Sequence, residues 1–397
     1  MRAPDSHRPP SAGQLWLRVA LLWLAGNGLR ITILAVPPII PLLAADLHMS
    51  ATEVGILGGL PAVLFAAAAI PGSLLIARFG ALSTLVIGLL ATALGSVLRG
   101  GVPDVLLLFA TTILTAFGVA VMQPALPPLV RAWLPHRIGF GTAVYTNGLL
   151  VGEIIPVTLT GLLVLPLTGG SWRLDSVMWA APVVVIAVLI AVLAPRPGVL
   201  ANPGTPRLWW PNWRDSLIWR LGLMLGSVNA LYFATNAFIP YYFHATGQDG
   251  VIVPALTALN AGQLPASLVL LVAVGNLERR IWPYVSAGLV CMACIVGIAF
   301  GNAAIVIAST AILGFAAAAV LVLMLALPPL LSKPDDVHRT AAAMFTVSYT
   351  CAVVTPILSG LAWDLTGIPA MAFLPIGLIG LLLIGFAPTI HVPDNME

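Results

Sequence analysis

Apolar and polar residues alternate along this chain on one length scale. Long apolar runs cover roughly 16–43, 53–77, 81–99, 104–130, 138–164, 176–194, 217–243, 252–275, 281–300, 303–331, 339–362 and 368–388, with short polar breaks between them. A helix needs roughly 20 apolar residues, at about 1.5 Å of rise each, to cross a bilayer. Twelve membrane-spanning helices are therefore predicted. The longest break, Pro195 to Asp215, holds Pro195, Pro197, Pro203, Pro206 and Pro211 and reads as a linker. The expected organisation is a tail over 1–15, a six-helix half over 16–194, a linker over 195–216, a second six-helix half over 217–388 and a tail over 389–397. The first fourteen residues are polar and Pro-rich and the run behind them is too long for a signal peptide, so it is expected to remain as the first span.

The two halves carry traces of one another. Arg18, Asn27 and Pro38 are followed 202 residues later by Arg220, Asn229 and Pro240. Ala125-Leu126-Pro127-Pro128-Leu129 returns as Ala326-Leu327-Pro328-Pro329-Leu330, His136-Arg137 as His338-Arg339, and Pro156 as Pro356. Four matches in order at a nearly constant offset argue for a duplicated six-helix unit. Charge adds orientation. Of the 17 Lys and Arg, all but Arg30, Arg99 and Arg173 fall in breaks or at run ends on one side of an alternating topology. By the positive-inside rule, both termini and the linker are expected to be cytoplasmic.

Composition narrows the class. The chain is 60% hydrophobic and 8% charged, which fits a polytopic membrane protein and leaves no separate soluble domain. Its formal charge of +3 is spread over short loops, so nucleic-acid binding is not expected. Cys291, Cys294 and Cys351 lie in apolar runs and read as small membrane-helix residues. His136, His338 and His244 form no metal or catalytic constellation, no cofactor is expected, and no Walker motif supports ATP drive. With neither a nucleophile–base pair nor a metal cluster, the chain is not read as an enzyme.

Several stretches then carry a resemblance: GLRITILAVPPIIPLL in the first run, GSLLIARFGALSTLVIGLL between the second and third, ALPPLVRAWLPHRIGFGTAVYTNGLLVG across the fourth and fifth, SWRLDSVMWAAP before the sixth and WDLTG after the eleventh. Over nearly its whole length the chain resembles the major facilitator superfamily, and within it the cyanate and nitroimidazole transporter branch. The resemblance implies an all-α fold of two pseudo-symmetric six-helix halves around a central cavity, lined by spans one, four, seven and ten. It also implies a gating loop after span two. There Arg78 and Gly80 remain, while Ala77 replaces the usual acid and Ala81 and Leu82 stand where bases are usual.

Candidate chemistry centres on charge within the apolar runs. Arg30 sits in the middle of the first, where an arginine costs about 2.5–3.5 kcal/mol on insertion scales. Such a residue is expected to face a cavity or a negative partner. Asn27 shares its helical face. Glu153 is the second intramembrane charge, on a stripe with Tyr145 and Leu149; it reads as a proton carrier, as the counter-ion of Arg30, or as a structural partner. Beside it, Gly148 and Gly152 permit close helix approach. Asn229, Tyr232 and Asn236 share a face of span seven, with Tyr232 at the repeat position of Arg30. Asn260 and Gln263 share a face of span eight, and Thr115, Met122 and Tyr349 are weaker candidates.

These readings converge on a monomeric secondary transporter in the cell membrane. A small anionic or nitro-containing solute, cyanate-like or nitroimidazole-like, is the expected cargo. Arg30, Asn27, Asn229, Tyr232, Asn236 and Asn260 are expected to bind it, and Glu153 to couple a proton or to serve as the counter-ion of Arg30. The alternative is proton-coupled efflux of apolar drugs, which needs a large apolar pocket and little dependence on Arg30.

Overall fold

The computed structural model describes residues 12–49, 51–195 and 208–389. The expected tails and most of the linker lie outside these residues. Twelve helices are long and apolar enough to cross a membrane. They are α1 (Ala12–Ile39), α2 (Ile56–Phe79), α3 (Ala81–Arg99), α4 (Val105–Trp133), α5 (Ile138–Leu167), α6 (Trp172–Leu193), α7 (Ser216–Ile239), α8 (Gly250–Leu277), α9 (Trp282–Phe300), α10 (Ala303–Leu331), α11 (Val337–Thr366) and α12 (Pro369–Thr389). An even number of crossings returns the chain to the face it started from. We call this the terminal face and its opposite the far face.

The packing partners repeat with the sequence. In the first six helices α1 packs on α5 and α3 on α6; in the last six α7 packs on α11 and α9 on α12. The two sets meet through α2 against α11 and α5 against α8, contacts that exchange under the same pseudo-twofold relation. Large apolar side chains such as Leu106, Leu162, Val192 and Val272 point outward, as suits helices surrounded by lipid. Between such helices there is no hydrophobic drive, so small residues and polar contacts set their spacing.

Five spans depart from a plain α-helix: α4 carries a 3-10 turn over Gln123–Ala125 and α12 one at each end, and α1, α5 and α8 are interrupted. The first apolar run is long enough to cross as a helix, with Gly26, Gly28, Pro37 and Pro38 able to loosen its backbone; α1 is first α-helical over Ala12–Gly28. It resumes over Ile31–Leu34 and ends in a 3-10 turn, Pro37–Ile39. Two prolines that cannot donate a backbone hydrogen bond explain the second interruption. The first places Arg30 at the N-cap of the short inner segment. In α5, a π turn over Thr160–Val164 follows Pro156. In α8, the helix pauses at Gly262 between Asp249–Ala261 and Gln263–Leu277.

Candidate functional site

The site begins with the distance between two helices. A Cβ on Gly148 would stand 2.1 Å from the Trp23 carbonyl oxygen, and one on Gly152 2.7 Å from that of Asn27. Lacking side chains there, α5 lies directly against the α1 backbone. That contact brings Glu153, one residue past Gly152, beside the break in α1. Arg30 Nε lies 3.2 Å from Glu153 Oε1, a geometry that the counter-ion and structural-partner roles read from sequence for Glu153 share. A buried pair of this kind is a weak source of stability, but removing one partner strands the other charge at a cost of roughly 3–5 kcal/mol.

Arg30 is held from the other half of the molecule as well. The Tyr349 hydroxyl accepts from an Arg30 Nη at 3.5 Å and from Gln123 Nε2 at 2.9 Å. The guanidinium carbon lies 5.4 Å from the centre of the Phe65 ring, within cation–π range, and Phe65 packs on Tyr349 at 5.1 Å. Tyr349, a weaker candidate from sequence, thus bridges the halves. Gln123 and Phe65 were not singled out. Gln123 had a legible signal, as an amide within the apolar run of α4; Phe65 looks like any core aromatic.

Across from Arg30, the Tyr232 hydroxyl donates to Asn260 Oδ1. Asn260 Nδ2 donates to Asn236 Oδ1 at 3.3 Å, and Asn236 Nδ2 to the Tyr232 carbonyl at 3.1 Å. Arg30, Glu153, Tyr232, Asn260, Gln263 and Phe65 all line one cavity of about 800 Å³, whose remaining wall is mostly apolar. It runs from Arg30 toward the far face, along residues 57–65 of α2, 150–158 of α5 and 256–264 of α8.

Of the expected binding residues, Asn236 stands behind this wall rather than in it, bonded to Asn260, and two others lie elsewhere. Asn27 is buried between α1 and α5, its amide donating to the Trp23 carbonyl at 3.0 Å. Asn229 donates to Ser348 Oγ at 2.8 Å, tying α7 to α11. Both serve helix packing within one half in this arrangement. Arg78 is exposed and lies over the Phe79 ring at 5.7 Å, and Gly80, with φ of 84°, makes the turn into α3.

Toward the terminal face the halves are joined. Arg131 of α4 donates to the carbonyls of Pro329, in the last turn of α10, and Ser332, just beyond it, at 2.7 and 2.6 Å. Asn147 of α5 accepts from Trp23 at 3.0 Å and donates to Ser267 of α8 at 2.9 Å. Just past α8, the carboxylate of Glu278 is buried over Gly139, in the first turn of α5, with Oε2 unpartnered. Burial pushes this carboxyl up to about 7, against the opposing charge of Arg279. Among the described residues no group of His, Cys, Asp and Glu is placed to hold a metal ion.

Twelve spans, repeated packing and a central cavity fit more than one transporter fold. The sequence pattern of the Major Facilitator Superfamily, however, matches residues 22–284, well over half of the chain. The chain belongs to the Major Facilitator Superfamily. Its relatives within the superfamily include the 2-nitroimidazole transporter of Escherichia coli, 24% identical over 92% of this chain and 93% of that protein. The cyanate transport protein CynX of the same organism is 24% identical over 66% of this chain and 67% of its own length. An uncharacterized Bacillus subtilis transporter, YycB, is 26% identical, but the match spans only 57% of its length. Among solved superfamily structures, the proton:xylose symporter XylE superposes with a TM-score of 0.79 at 12% identity, covering 97% of both chains. FucP in its outward conformation gives 0.74 at 15% identity, over 95% of this chain and 99% of that one. At such identities the likeness is one of fold. Membership makes this protein a multi-pass membrane transporter rather than an enzyme.

Proposed function

We propose that this transporter moves a small anionic or nitro-bearing solute by alternating access, with Arg30 as its receptor and Glu153 as the group that couples a proton. The observation that carries the reading is the Arg30–Glu153 pair in the cavity wall. A guanidinium offers five donors in a planar fork, suited to a carboxylate, a nitro group or a small planar anion. An anion arriving at Arg30 takes the place of Glu153. The displaced carboxylate, left in an apolar wall without its cation, takes up a proton. Anion and proton then cross together with no net charge, avoiding about 2.3 kcal/mol per charge per 100 mV of membrane potential.

Arginine placement supports cytoplasmic termini, so the cavity faces outward and the contacts of Arg131 and Glu278 close the cytoplasmic side. Rocking of residues 16–194 against 217–388 reverses this, with Tyr349 and Asn260 drawing the halves together around bound solute. The relatives that carry nitroimidazole and cyanate in their names agree with a planar, strongly dipolar or anionic cargo.

The largely apolar remainder of the wall favours the second reading, efflux of apolar drugs. The deciding experiment is the thermal stability of the purified protein against small anions, nitroazoles and lipophilic cations, wild type beside Arg30→Ala. Ligands that bind the folded state raise the melting temperature. Stabilisation by anions or nitro compounds that weakens sharply in the variant supports the proposal. Stabilisation by lipophilic cations, retained in the variant, overturns it. In proteoliposomes Glu153→Gln is expected to abolish pH-driven accumulation while sparing exchange; an unchanged pH dependence refutes the coupling role.

A further inference from the structure

Arg99 is the last residue of α3, at the end of an apolar run and next to a short polar break. In the structure its side chain is turned into the protein and only 1% exposed. One Nη donates to the Thr32 carbonyl at 3.4 Å, in the segment of α1 that Arg30 caps, and the other to Thr115 Oγ1 at 3.3 Å. Both acceptors are neutral and both bonds long, and Nε is buried without a partner. Asp175 of α6 is fully buried and close enough for its charge to act on Arg99. Its carboxylate lies beside Trp179 and Thr160 and makes no hydrogen bond to Arg99, so the two groups balance in charge without closing on each other.

Arg99 also belongs to the wall of the cavity that holds Arg30 and Glu153. Seen from inside, that wall carries two cations and one anion, and Asp175 is not part of it. Arg30 is already paired with Glu153 at 3.2 Å, which leaves Arg99, bonded only to neutral acceptors, as the guanidinium of this wall that no carboxylate contacts. A low-dielectric cavity focuses the field of such a charge onto an entering ion, and an unmet buried donor gains most from a charged acceptor.

We propose that Arg99 is a second anion-binding point of this cavity, which captures the solute before it passes to Arg30 and displaces Glu153. Asp175 sets how strongly Arg99 holds it. This inference rests on the anion reading of the site above.

The test is cyanate uptake into proteoliposomes by wild type, Asp175→Asn, Arg99→Lys and the charge-neutral pair Arg99→Gln with Asp175→Asn. Loss of a charge-assisted hydrogen bond predicts a KM about tenfold higher in the double variant with kcat little changed. Arg99→Lys lies between, and Asp175→Asn lowers KM, because the cation loses its counter-charge. The opposite signs separate capture from a structural role, which moves melting temperature alone. A folded double variant with wild-type KM overturns the proposal while leaving Arg30 in place. If the double variant does not fold, an Asp175→Asn protein with unchanged or raised KM overturns it equally. Wild type that takes up no cyanate, nitrate or other small anion refutes both this inference and the reading beneath it.

Discussion

Gly148→Ala is a one-methyl perturbation whose effect follows from the α1–α5 contact. The added Cβ would lie 2.1 Å from the Trp23 carbonyl oxygen, whereas real Cβ atoms essentially never approach within 3.0 Å. The neighbour is backbone, so no side chain can rotate away. The helices must part by about 0.9 Å, the difference between those distances. Moved by that much along the contact, the 3.2 Å Arg30–Glu153 separation reaches about 4 Å, the outer limit of an ion pair. Overpacking of this kind costs about 1–3 kcal/mol. Scaled by unfolding entropy to a chain of this length, that is a fall in melting temperature of about 1–4 °C. The assay is the melting temperature in detergent, with uptake in proteoliposomes measured beside it. Gly275→Ala, on α8 with nothing within 4 Å of its new Cβ, serves as the control and should be neutral. Gly148→Ala should lower both stability and uptake. A variant that melts and transports like wild type would show that the α1–α5 contact does not position the pair, and the argument for how Glu153 reaches Arg30 would fall.

Other outcomes follow from the joins at the terminal face. Arg131→Gln removes the charge-assisted bonds to Pro329 and Ser332. A cysteine introduced by Ser332→Cys, with the native cysteines replaced, should then react faster with maleimide; an unchanged rate would exclude a closing role for Arg131. Asn147→Ala deletes the bridge from Trp23 to Ser267 and should lower the melting temperature by about 1–4 °C, the size expected for a buried polar group left without its partner; Ser267→Ala in the same background should add little. Glu278 gives a pH dependence. Its carboxyl is shifted upward to about 7, so burial favours the protonated form. Its contribution is full below the ordinary carboxylate range and is lost as pH rises through about 7. Wild-type melting temperature should therefore decline between about pH 5 and pH 8, and Glu278→Gln should flatten that decline. Parallel curves for the two proteins would rule out this titration.

The number of spans, the duplication and the two intramembrane charges were legible in the sequence, because each rests on a local or periodic signal. An apolar run long enough to cross a bilayer must be helical whatever surrounds it, since backbone groups in lipid have no other partners. An arginine within such a run announces a functional position by its cost alone. The G-x-x-x-G spacing of Gly148 and Gly152 likewise foretold a close helix approach. Tertiary structure decided which helix was approached, and therefore that Glu153 meets Arg30. It turned Asn27 and Asn229 into packing contacts, although they share faces with Arg30 and Tyr232, because Asn27 bonds back to the Trp23 carbonyl of its own helix under α5 and Asn229 to Ser348 of α11. It assembled Gln123, Tyr349 and Phe65 around Arg30 from three helices far apart in sequence. It also drew Arg99 inward from the end of an apolar run. Local patterns specify which helices form and which residues are costly to bury; only the packing of one helix against another determines which of those costs are met by a partner and which remain facing the cavity.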